Sequence, residues 1–169
     1  MERLIGNYKL FFSDILTRLE LLRVDITGYP MSHLGVRTAT VKEYERLRDE
    51  IKKFSASFAE NEHNGRPISK LLLCESLLLP GGFIVDLIEL MPPKPDVWYP
   101  SGLEHCGIVI GEKLEEFAMR HKDVISGRQD QGPYCKPYFI TFENGKRVKF
   151  YDISLKDVVE KEGHVFIST

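Results

Sequence analysis

The stretch Ser32-His33-Leu34-Gly35-Val36 decides the reading of this chain, because Glu104-His105-Cys106-Gly107-Ile108 repeats it. Each copy is His-x-Gly followed by a β-branched apolar residue, in a short alternating run that predicts a strand. Each is followed by a charged segment of helical spacing, residues 41–51 after the first and 112–121 after the second. The two histidines stand 72 positions apart. A strand and helix that recur in this way predict a duplicated module, with one histidine from each half.

Outward from the first copy, Thr40 is a natural helix N-cap, with Glu43 three positions on. Tyr44, Leu47, Ile51 and Phe54 then form a buried stripe. Two extended runs, 55–62 and 68–79, flank Asn64-Gly65-Arg66-Pro67, a hairpin signal. After the turn Pro80-Gly81-Gly82, residues 83–90 read as a further strand. The first module, 31–91, is therefore strand, helix and three strands. Pro92, Pro93, Pro95 and Pro100 make 92–101 a linker rather than a helix or central strand.

The second module, 102–153, runs in the same order. A strand at 103–110 and a helix at 112–123 precede a loop rich in Gly, Asp and Gln. A strand at 138–142, a turn at Glu143-Asn144-Gly145-Lys146 and a closing strand at 147–152 complete it. Ser154 with Asp157 opens a short helix through Glu160, and the tail 164–169 has no evident place. At the other end, Leu4, Tyr8, Phe11, Ile15, Leu19 and Leu22 predict one amphipathic helix over 3–24, within an N-terminal extension 1–30.

The length of 169 residues fits one domain built of two similar halves. A hydrophobic share of 43% and a charged share of 28% are those of a soluble globular protein. With a net charge of −2 and no basic stripe, no nucleic-acid partner is expected. No apolar run is long enough for a membrane span, and the N-terminus lacks a signal peptide's basic start and apolar core. Three cysteines without C-x-x-C spacing point away from a disulfide framework and toward the cytoplasm. They read as small buried hydrophobes. His63, His121 and His164 read as exposed.

Strand parity sorts the side chains. His33, Gly35 and Arg37 share one face, and Leu34 and Val36 the other. His105, Gly107 and Val109 oppose Cys106, Ile108 and Ile110 in the same way. The apolar faces belong under helices, so the histidines look into the concavity of the sheet, where the glycines leave room. Arg147, Lys149 and Tyr151 share a face of the closing strand. Each of these residues also has a plainer reading. The histidines are hydrogen-bonded core residues, Arg37 and Lys149 rim charges, Glu89 a strand end in solvent, and Tyr151 ordinary core.

Three motifs in order, His33-x-x-x-Arg37, Asn64-Gly65-Arg66-Pro67-Ile68 and Tyr99-Pro100-x-Gly102-x-Glu104-His105, carry a resemblance. The chain resembles the YecM-like family of the vicinal oxygen chelate (glyoxalase and extradiol dioxygenase) superfamily, over about residues 1 to 160. The resemblance implies an α+β fold: two βαβββ modules forming a cupped mixed sheet with helices outside, preceded by the N-terminal helix. It implies metal ligands on the first and last strands of each module, here His33, Glu89 and His105. Tyr151 aligns with the fourth position, where the superfamily usually has Glu. Two imidazoles and a carboxylate suit a divalent transition metal such as Fe, Mn, Ni or Zn. The implied activity is that of a metal-dependent lyase, isomerase or dioxygenase acting on a small anionic molecule. Arg37 and Lys149 would attract the anion, and Tyr151 would donate a proton. The alternative is a non-catalytic binding or sequestering protein on the same fold, and the incomplete ligand set speaks for it.

Overall fold

The computed structural model describes residues 1–63, 65–95, 97–98 and 100–169. Asn64, in the expected hairpin turn, and Tyr99, in the third motif, lie outside them. The first module consists of β1 (Met31–Arg37), α1 (Val41–Lys52), β2 (Ser55–His63), β3 (Arg66–Leu78) and β4 (Ile84–Met91). The second consists of β5 (Gly102–Val109), α2 (Leu114–Arg120), β6 (Gly127–Arg128), β7 (Tyr138–Thr141) and β8 (Arg147–Tyr151). The C-terminal segment adds α3 (Leu155–Lys161) and β9 (Ile167–Ser168). Together they form one nine-stranded mixed sheet in the order β6-β7-β8-β5-β1-β4-β3-β2-β9.

The duplication is visible in the pairing. Within each module the first strand lies parallel to the last, β1 to β4 and β5 to β8. The two first strands meet antiparallel at the seam, β1 against β5. Register there sets His33 opposite Gly107 and Gly35 opposite His105. Each module's glycine thus faces the other module's histidine, and the glycine is there for space. A Cβ built on Gly107 would stand 2.6 Å from His33 Cε1, and one on Gly35 would stand 2.2 Å from His105 Cε1.

The apolar faces pack as parity predicts. Leu34, Val36, Cys106 and Ile108 are fully buried in one core with Tyr44, Leu47 and Ile51 of α1 and Phe117 of α2. Thr40 caps α1 by accepting a hydrogen bond from the Glu43 amide. The N-terminal extension is two helices rather than one, Glu2–Ile5 and Tyr8–Leu21. The chain breaks at Gly6, and the Asn7 side chain caps the second helix by accepting from the Leu10 amide. A cap residue placed inside an apolar stripe overrode the periodicity. The expected helix at 112–123 likewise starts with a 3₁₀ turn at Gly111–Lys113 and ends at Arg120.

Beyond β8, Ser154 and Asp157 form a full capping box that starts α3. Leu155 and Val158 pack with Leu87, Cys135 and Tyr151 in a second, smaller core. The tail then pairs β9 with β2 at the far edge of the first module. The C-terminal segment therefore runs from the second module to the outer strand of the first. No helix among the described residues is long and apolar enough to cross a membrane.

Candidate metal centre

His33, on β1, and His105, on β5, are both buried with no exposed surface, and their Nε2 atoms lie 3.1 Å apart across the seam. Glu89 reaches them from β4, where it pairs with Gly35. Its Oε2 lies 3.1 Å from His105 Nε2 and 3.8 Å from His33 Nε2. The three lone-pair atoms converge on one point from three adjacent central strands. Among the described residues this is the one group of His, Cys, Asp and Glu side chains arranged to hold an ion, with all ligand atoms within 4.8 Å of one another.

The surroundings favour a ligand state. Burial pushes the His33 ring well below its ordinary pKa, and His105, Lys149 and Lys70 push the same way against Glu89, so the imidazole is neutral. Burial would raise the Glu89 carboxyl. The hydrogen bond to His105 and the nearby positive charge instead hold it well below the usual range, so it is an anion. His33 Nδ1 lies 2.9 Å from Ser32 Oγ, which also accepts a hydrogen bond from the Leu155 amide at 2.8 Å. The Ser32 hydroxyl has a second lone pair free to accept from an Nδ1 proton, the tautomer that would direct the Nε2 lone pair into the site. His105 Nδ1 lies 3.4 Å from Glu104 Oε1 but makes no hydrogen bond among the described residues. These observations fit a divalent cation held by two imidazoles and one carboxylate.

Glu104 reaches this face against simple alternation. The β1–β5 register slips between Gly35 and Val36, pairing Gly35 with His105 and Val36 with Leu103. Glu104 is the extra residue of a β-bulge, and a bulge re-aims side chains. The carboxylate lines the cavity and pairs with Arg37, whose Nε donates to Oε2 at 2.7 Å. Burial would raise the Glu104 pKa, but His105 and Arg37 hold it far below the usual range. Arg37 also donates to the Pro92 carbonyl, 3.1 Å away. The guanidinium expected to meet a substrate anion thus holds Glu104 beside His105.

The fourth position needs correction. β5 and β8 pair Gly107 with Lys149, and Val109 with Tyr151. Since Gly35 pairs with Glu89 in the first module, the counterpart of Glu89 is Lys149, not Tyr151. Counting strand ends in sequence placed it two residues too late. Tyr151 does look to the concave side, with its ring 5.4 Å from His33. There α3 covers it: it is 2% exposed, packs in the smaller core and does not line the cavity. Burial pushes its hydroxyl well above its ordinary pKa, which suits neither a ligand nor a ready proton donor.

Glu89 lines a cavity of about 130 Å³ that opens to solvent. Arg37, Arg66, Lys70, Lys94, Arg147 and Lys149 line it, against Glu89, Glu104 and Glu162. Lys70 and His63 were not among the residues that sequence reasoning picked for the site. Lys70 sits on β3 beside Glu89 and is 4% exposed. His63, expected in solvent, lines the cavity and is half-buried. Cys74 is exposed, whereas Cys106 and Cys135 are buried as expected. His121 is half-buried against Phe117, and His164 is exposed.

Two βαβββ modules joined through their first strands, with a polar centre astride the seam, have the architecture of the vicinal oxygen chelate fold. The family model described as YecM protein matches residues 1–135, and the chain belongs to that family. No curated protein matches the chain. Among solved structures, "Structural Genomics, Protein EC4020" superposes with a TM-score of 0.77 at 23% identity, over 94% of this chain and 91% of that one. A 2,2',3-trihydroxybiphenyl 1,2-dioxygenase from Sphingomonas wittichii strain RW1 gives 0.46 at 14% identity, over 73% and 40%. The fosfomycin resistance protein FosX from Listeria monocytogenes, complexed with Mn(II) and sulfate, gives 0.29 at 12% identity, over 82% and 99%.

Proposed function

We propose that this chain is a metal-dependent enzyme acting on a small anionic, oxygenated substrate. The observation that carries the reading is the convergence of His33 Nε2, His105 Nε2 and Glu89 Oε2, with Glu89 also lining an open, cation-rich cavity. These three residues would hold a divalent transition ion of the Fe, Mn, Ni or Zn group. A bound ion of this kind supplies Lewis acidity toward neighbouring substrate oxygens. Ser32 fixes the His33 ring, and Glu104, held by Arg37, stands beside His105. Lys149 offers an ammonium to an anionic substrate group, and α3 with its neighbours shields the floor from water. Lyase, isomerase and dioxygenase chemistry are all compatible with this arrangement. Three free thiols fit a reducing cytoplasm.

A second reading, a non-catalytic binder of the same anion, is favoured by Lys149 at the position of a second carboxylate. Metal analysis separates the two. Protein purified without chelator or polyhistidine tag should carry close to one equivalent of a divalent transition metal. His105→Ala should lose it, because three protein ligands cannot easily spare one. Metal-free protein that takes up no transition ion on titration would leave only the binder.

A further inference from the structure

Three buried side-chain polar atoms lack a hydrogen-bond partner among the described residues: His105 Nδ1, Gln129 Oε1 and Arg147 Nε. Gln129 and Arg147 line the cavity, and His105 stands against Glu89, which lines it as well. Buried polar groups are nearly always paired, so the two orphan atoms of the lining, with a third beside it, mark where a polar ligand belongs. The lysines point the same way. Lys149 is 5% exposed and Lys70 is 4% exposed, and both line the cavity. Lys70 donates to Asn61, a neutral amide, and no hydrogen bond or ion pair of the described residues involves the Lys149 ammonium. Arg147 makes no ion pair either, and only the Phe139 ring, 5.9 Å away, faces its guanidinium. The six Arg and Lys side chains of the lining outnumber its three carboxylates, Glu89, Glu104 and Glu162, so a ligand charge is the natural complement.

Their placement gives more than a net charge. Across the sheet the row reads Arg147 on β8, His105 on β5, Gly35 on β1, Glu89 on β4 and Lys70 on β3. Lys149 stands one step along on β8, beside Gly107. Of the cavity's cations, Arg147 and Lys149 therefore form a station on one flank of the triad and Lys70 one on the other. Strands in a sheet lie roughly 4.8 Å apart, so the two stations are about 19 Å apart at backbone level. Long lysine side chains rising from a concave sheet close part of that distance.

We infer that the substrate carries two anionic groups at opposite ends, one taken by Lys149 with Arg147 and one by Lys70. Its reacting oxygens then lie between them, over His33, His105 and Glu89. The chemical class is a dicarboxylate, or a phosphorylated hydroxy acid, of several carbons. This rests on the proposed site but not on the metal.

The test is calorimetric titration of the full-length, chelator-dialysed protein with a matched pair of probes, adipate and hexanoate, followed by malonate. Adipate should bind at least tenfold more tightly than hexanoate, which is as long but charged at one end, and more tightly than malonate, whose charges are too close. Lys70→Met and Lys149→Met should each bring adipate down to the affinity of hexanoate. The circular dichroism spectra and urea midpoints of both variants should match the parent, which shows that they fold. Equal affinity for adipate and hexanoate, including none for either, overturns the inference, as does a Lys70→Met protein that binds adipate like the parent. Because the probes are read without metal, dicarboxylate binding without metal uptake would sink the metalloenzyme reading and leave this one standing. Metal uptake without dicarboxylate preference would do the reverse.

Discussion

At the scale of single residues, the two strand glycines and Lys149 govern the site. Gly35 and Gly107 are each other's counterparts, and each admits the histidine of the opposite module. Gly35→Ala should therefore displace His105 rather than its own neighbour His33. Overpacking a tight core costs roughly 1–3 kcal/mol, and the displaced ring is a proposed ligand. The variant should lose both stability in urea and divalent-metal uptake, with the NMR signals of the His105 ring shifting more than those of His33. A folded Gly35→Ala protein with full metal uptake would contradict the geometry. Lys149 acts by charge. A unit charge at roughly 10 Å from a divalent ion, at an effective dielectric of about 20, is worth about 3 kcal/mol. Lys149→Glu changes the local charge by two units and places a carboxylate at the counterpart of Glu89, so it should bind a divalent metal at least tenfold more tightly. Competition against a chromophoric chelator measures this, and unchanged affinity would mean that Lys149 lies too far from the ion to matter.

At the scale of elements, α3 does more than end the chain. Its first amide, at Leu155, donates to Ser32 Oγ, and Ser32 faces His33 Nδ1. The helix start and the ring orientation are thus coupled through one hydroxyl. Ser32→Ala should leave the fold intact and lower metal affinity by about ten- to a hundredfold, the usual size of such outer-sphere losses. Titrating Zn(II) into both proteins checks it, and equal affinity would reduce Ser32 to a helix contact. How much of this was legible follows from what kind of signal each element sends. His33 and His105 were legible because strand parity and the repeat are written in residue types, whereas Glu89 came only with the family resemblance. Glu104 was missed because a bulge breaks parity, and no residue type announces this bulge. Lys149 was seen on the right face but not at the right place. Its equivalence to Glu89 is a matter of parallel register, and the closing strand carries no glycine or histidine to count from. Ser32 was passed over because its partner lies 123 positions away.

At the scale of the molecule, the duplication fixes where the site must lie. The repeat gave the paired modules, and the parallel and antiparallel pairing around β1 and β5 agrees with it. The pairing of β9 could not be foreseen, because that strand is two residues long and its partner belongs to the other end of the sheet. Since His33 and Glu89 come from one module and His105 from the other, a shared ion would tie the halves together at the seam. An ion that binds only the native state stabilises it by about 2.7 kcal/mol at a hundredfold excess over Kd. For a chain of this size each kcal/mol is worth about 2–4 °C, so saturating metal should raise Tm by about 5–10 °C over the chelator-treated protein. His105→Ala should abolish this rise. Acid should weaken the metal-free protein in a definite direction. The His33 pKa is depressed in the fold, so between that low value and about 6.5 the unfolded chain holds a proton that the native one does not. Stability then falls as pH drops below about 6.5, by up to about 1.4 kcal/mol per unit for this one group. The lowered Glu89 and Glu104 add the same sign of slope below about 4.5, the range in which the unfolded carboxyls take up protons. Urea titrations at pH 7.5, 6.5 and 5.5 should show the decline, and His33→Asn should flatten it. A metal-free protein equally stable across that range would mean that the His33 ring takes up its proton inside the fold as readily as outside it, which a neutral ligand seated in a buried triad cannot do.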